Sequence, residues 1–177
     1  MIALLVITLR LLLPLTILRW PLAGGLLALT ADLYDFVVFN KISWGFLTSE
    51  TYQPIDKLLD IYYLSLEVYA ASKWNDLLAK KTAISLFFWR LAGVIIFELT
   101  QLRKFLFFAP NIFEYFYLVF LSIKRFKPDF RLQKRSLIIL LLVIGIPKLV
   151  WEFILHYLEY PLGIANSWAF LKEAIFK

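Results

Sequence analysis

Residues 82–101 read TAISLFFWRLAGVIIFELTQ. Twenty residues of helix rise about 30 Å, the thickness of a bilayer's hydrocarbon core. Two charges, Arg90 and Glu98, interrupt this run. Comparable apolar runs lie on either side, at 2–20, 21–39, 54–74, a segment ending near 123, and 136–158. The expected fold class is therefore all-α, a polytopic integral membrane bundle of about six transmembrane helices, with 1–177 forming a single transmembrane domain.

Composition agrees with that reading. The chain has 177 residues, of which 62% are hydrophobic, and its mean hydropathy is +0.76. Ordinary soluble domains are less apolar. Aromatic residues make up 18%, and Trp20, Trp44 and Trp74 fall near the edges of apolar runs, where amphipathic rings favour the interface. There is no cysteine, which excludes disulfides, thiolate catalysis and Cys-ligated metals. The one histidine, His156, excludes a multi-His metal site within one chain. The net charge of +6 comes from basic residues beside apolar runs, which points to anionic headgroups and not to nucleic acid.

Local signals refine the spans. The 2–20 segment carries Arg10 and lacks a basic start, so it reads as a retained helix and not a cleaved signal. AGG near the start of the second span suits close packing. A polar loop is expected at 40–53, with Pro54 in the first turn of the third span. RKFLFFAPN is expected to turn or break a helix, and Gly145 and Pro147 to bend the last span. The tail 160–177 is amphipathic enough to lie on a membrane surface. Basic residues concentrate in the fifth loop, at Lys124, Arg125, Lys127, Arg131, Lys134 and Arg135. That loop, 124–135, is therefore expected to be cytoplasmic in a plasma or inner membrane, with the first and third loops beside it and the acids described next facing outward.

Those acids form two pairs. Asp32 and Asp35 are three apart in ADLYDFVVF, and Asp56 and Asp60 are four apart in YQPIDKLLD, so each pair shares a helix face. One span ends where the next begins, which puts all four near one membrane surface. Converging carboxylates repel strongly in low dielectric. A divalent cation, magnesium or calcium, relieves this with oxygen ligands. Protonation is an alternative, as is pairing with Lys57, Lys41 or an arginine from another helix. The plainer reading is a set of interfacial acids bonded to water.

The spacing D-x2-D at the end of one span and D-x3-D at the start of the next resembles the CDP-alcohol phosphatidyltransferases, as do the six spans and the opening helix ITLRLLLPLTIL. The resemblance implies divalent metal held by Asp32, Asp35 and Asp56, with Asp60 as the base toward an incoming alcohol. It covers about the first 75 residues. The family's G-x2-A-R after the second acid is replaced here by FVVFN, and its glycine four residues before the third acid by Tyr52.

Deeper in the apolar runs lie Arg10, Glu67, Arg90, Glu98, Glu114, Lys148 and Glu152. Glu67 continues the face of Asp56 and Asp60. Lys148 and Glu152 are four apart and suited to pair. Arg10 and Arg90 are candidate partners of Glu67 and Glu98. Such residues mark either an ion path or interhelix salt bridges that fix packing. His156 sits one turn beyond Glu152, as a relay or an interfacial residue. Asn111 and Glu114 suit a capping box.

Three function classes follow. The chain is a cation-binding membrane protein that passes an ion inward from its aspartates, a phosphatidyltransferase-like lipid enzyme using a metal at the same aspartates, or an accessory subunit whose charges serve assembly. The expected partners are the lipid bilayer and a homo-oligomer or larger membrane complex.

Overall fold

The computed structural model describes residues 2–41, 49–102 and 104–156. Among these there is helix and no strand. Seven α-helices and one 3-10 segment form six rods: α1 (Ile2–Leu12) continued by the 3-10 segment Leu13–Leu18, α2 (Pro21–Lys41), α3 (Ser49–Ala71), α4 (Leu77–Thr100), α5 (Lys104–Phe108) followed by α6 (Ile112–Phe126), and α7 (Lys134–His156). Their positions match the six apolar runs. By length and composition, Leu77–Thr100 and Phe105–Phe126 are apolar enough to cross a membrane, and Leu4–Leu18 is a shorter apolar stretch.

Prolines set the two breaks. Pro14 cannot donate an N–H, and α1 gives way to 3-10 geometry just before it. The Leu11 carbonyl near that end accepts from the Tyr62 hydroxyl of α3 at 3.0 Å. Pro110 interrupts α5 and α6 as the sequence predicts. Two residues of α4 meet the carbonyls freed at this break: Trp89 Nε1 donates to Phe108 at 3.0 Å, and Arg90 to Ala109 at 2.9 Å. Without Arg90 the break would leave the buried Ala109 carbonyl unpaired. Gly93 allows the approach, because a Cβ there would lie 2.2 Å from Ala109 Cβ. The AGG expectation also holds: a Cβ on Gly24 would lie 2.3 Å from the Ile17 nitrogen.

The core is centred on α6, which packs against α2, α3, α4 and α7. Phe113, Phe116, Tyr117 and Phe120 are buried there. Trp74 packs against them, 4.5 Å from Phe120 and 5.6 Å from Tyr117 between ring centroids. Trp20 is exposed, and Trp44 lies outside the described residues.

Two expectations shift, the start of α3 and the start of α4. α3 begins at Ser49, so Pro54 falls in its second turn. The fourth helix starts at Leu77, ahead of the apolar run, because Asp76 caps it by accepting from Ala79 N at 3.0 Å. α7 runs on through Pro147. Asp76 also accepts from Leu132 N at 2.6 Å, which ties the third loop to the fifth at one end of the bundle. The tail 160–177 lies outside the described residues.

The surface is apolar where a soluble protein's is polar. Leu4, Leu58, Leu99 and Phe126 are among the large side chains left mostly exposed, while Arg10, Glu67, Arg90, Asn111 and Glu114 are buried. Soluble folds usually distribute these residue types the other way round.

Candidate functional site

Arg10, in the last turn of α1, reaches between α2 and α3. It donates to Asp32 at 2.6 Å, to Asp56 at 2.6 Å and to Asp60 at 2.8 Å. Asp56 and Asp60 stand one turn apart on α3, and α2 brings Asp32 across to them. The three acids offer oxygens that all lie within 4.8 Å of one another. Lys57 adds a longer contact, 3.8 Å to Asp56. The Asp35 side chain lies outside the described residues.

Arg10 is 3% exposed, whereas the acids keep 19–29% exposure. The guanidinium is thus a buried floor and the carboxylates a partly open rim. Its fork of donors suits several carboxylates at once, which an ammonium matches poorly. Among the described residues, the three acids share the Arg10 guanidinium, with Lys57 in longer-range contact. The group can hold a cation on its open side: oxygens on opposite sides of a calcium ion stand about 5 Å apart, close to the separation here.

A second polar group lies deeper along the same face of α3. Tyr63 donates to Glu114 Oε1 of α6 at 3.0 Å, and Asn111 Nδ2 donates to Glu114 Oε2 at 2.9 Å. Asn111 is the N-cap residue of α6, as expected, but it makes no side-chain cap bond. The capping box is replaced by the Asn111–Glu114 side-chain bond, because Glu114 turns inward to Tyr63. Glu67 is fully buried, and neither of its carboxylate oxygens has a hydrogen-bond partner among the described residues. It packs beside Gly25, where a Cβ would lie 3.0 Å from Glu67 Oε1. Glu67 and Glu114 are near enough to feel each other's charge.

The pairings expected of the deeper charges differ. Arg10 meets the three aspartates and not Glu67, since one turn of α3 places Asp56 and Asp60 at its level. Arg90 donates to the Ala109 carbonyl and not to a carboxylate, because the Pro110 break presents that acceptor to it. Glu98 is exposed near the end of α4. Lys148 lies 5.6 Å from the Tyr115 ring centroid, within cation–π range. The side chains of Glu152 and His156 lie outside the described residues.

Sequence reasoning missed Tyr63 and Asp76. Tyr63 was findable, since it stands three residues after Asp60 on the same face. Asp76 immediately before an apolar helix is an ordinary N-cap signal. No protein-family model matches the chain, and no characterised protein or solved structure matches it.

Proposed function

We propose that this chain is an integral membrane protein that binds a cation at Asp32, Asp56 and Asp60 and passes it inward toward Glu67. The observation that carries the reading is the convergence of three partly open carboxylates over the Arg10 floor. The apolar exterior, with Arg10, Glu67, Arg90, Asn111 and Glu114 buried inside, supports membrane insertion of all six rods. The line Asp56, Asp60, Tyr63 and Glu67 follows one face of α3 over about 16 Å, roughly half a hydrocarbon core. Glu114 flanks that line from α6. Ionisable groups at this depth, in a bundle interior, are the usual elements of an ion path. The acids lie at the opposite end of α3 from the basic fifth loop, which in this reading is cytoplasmic.

The test is cation flux into liposomes holding the purified protein. Wild type should conduct, and Glu67→Gln should lose most of the flux while still binding calcium or magnesium by titration calorimetry. Asp60→Asn should lose binding and flux together. Flux unchanged in Glu67→Gln would sink the inward path.

A second reading has its own support. Asp32, the first acid of D-x2-D, joins both acids of D-x3-D, the arrangement a phosphatidyltransferase-like enzyme would need. In that case Asp32 and Asp56 would hold the metal, with Asp35 expected beside them, and Asp60 would be the base. Metal-dependent turnover of CDP-activated lipid, lost in Asp60→Asn, would favour this reading over conduction.

A further inference from the structure

A groove of about 360 Å³ runs between α3 and α4 on the outside of the bundle. That volume is at the low end of small-ligand sites. Its walls are almost wholly apolar, with Leu58 and Ile61 from α3 facing Val94 and Ile95 from α4. Two charged residues of opposite sign also line it, Lys57 and Glu98. The helices run antiparallel across a short loop, so the start of α3 and the end of α4 lie together, and both charges sit at one end of the groove. Glu98 is in the last turn of α4, where the helix dipole also favours a cation. Lys57 is 3.8 Å from Asp56, too long for a hydrogen bond, so that contact does not consume its donors.

A slot with apolar walls and one charge of each sign at its mouth complements a specific kind of molecule. We propose that the α3–α4 groove binds a zwitterionic phospholipid, with an acyl chain along Leu58, Ile61, Val94 and Ile95, the phosphate at Lys57 and the headgroup ammonium at Glu98. The inference rests on the membrane reading above, since the lipid enters from the surrounding bilayer. The occupant follows from the charge pair: an anionic lipid without an amine would leave Glu98 facing a negative headgroup. Leu58 and Leu99 beside the groove are strongly exposed, which makes it continuous with the rest of the apolar surface.

Native mass spectrometry of the detergent-purified protein tests this with two lipids of identical chains, phosphatidylethanolamine and phosphatidylglycerol. Wild type should prefer the ethanolamine lipid about fivefold, the scale of one well-placed exposed ion pair. Glu98→Gln should remove the preference, and Lys57→Gln should weaken both lipids. Equal binding by wild type would overturn the proposal, as would a preference that survives Glu98→Gln. A dimer mass abolished by Ile95→Arg would overturn it too, by showing a second copy over the groove. Alkaline extraction of membranes separates the two levels. Release into the soluble fraction defeats the membrane reading itself, whereas retention without lipid preference defeats only the groove.

Discussion

Arg10 holds three carboxylates that would otherwise repel one another, and it does so from a buried position. Removing one partner of a buried ion pair leaves uncompensated charge and costs about 3–5 kcal/mol. Arg10→Ala should therefore lower the unfolding temperature in detergent sharply. Arg10→Lys should recover only part of the loss, because one ammonium does not present a guanidinium's fork. A cation bound at the same acids stabilises whichever form it prefers. Calcium should accordingly raise the melting temperature of Arg10→Ala more than that of wild type. An Arg10→Ala protein indifferent to calcium and magnesium would count against a cation site at these aspartates. The composition of this site was half legible in the sequence. The i, i+4 spacing puts Asp56 and Asp60 on one face, and an arginine from another helix is one of the partners their charge calls for. Which arginine it is depends on how α1 packs, and no local pattern encodes that.

At the scale of elements, the structure turns on close approaches and on what fills the ends of broken helices. Gly93 lets α5 press onto α4, and a Cβ there would overlap Ala109. Gly93→Ala should destabilise the protein by roughly 1–3 kcal/mol, the usual range for overpacking, read as a lower denaturation midpoint. Asp76 has two tasks, capping α4 and accepting from Leu132. Asp76→Ala should cost about 1 kcal/mol as a lost cap. It should also speed proteolysis within 127–133, and unchanged cleavage there would mean the Leu132 bond does not restrain the loop. The break at Pro110 was readable because proline's missing N–H is a property of the residue itself, whereas the change to 3-10 geometry at Pro14 falls inside the 2–20 run read as one helix. The donors that answer the second break, Trp89 and Arg90, were not readable as such. Arg90's charge by itself suits a carboxylate, and only the packing of the Pro110 break against α4 gives it the Ala109 carbonyl.

For the whole molecule, the end of α3 that carries the acids lies away from the basic fifth loop. A single cysteine at Ser49, in a chain that otherwise has none, reports which side those acids face. An impermeant maleimide should label Ser49→Cys in intact cells. Protection until lysis would reverse the orientation and favour the lipid-enzyme reading, whose CDP-activated substrate is cytoplasmic. The sequence by itself determined that the chain is helical, where its six rods lie and which residues are charged within them, because hydropathy, proline and helical periodicity act over a few neighbouring residues. Tertiary packing alone decided that Asp32 joins Asp56 and Asp60 over Arg10, that Glu114 binds Tyr63 while Glu67 has no hydrogen bond among the described residues, and that Lys57 and Glu98 share one groove. Those pairings join side chains tens of residues apart, and their partners are chosen by how the helices pack.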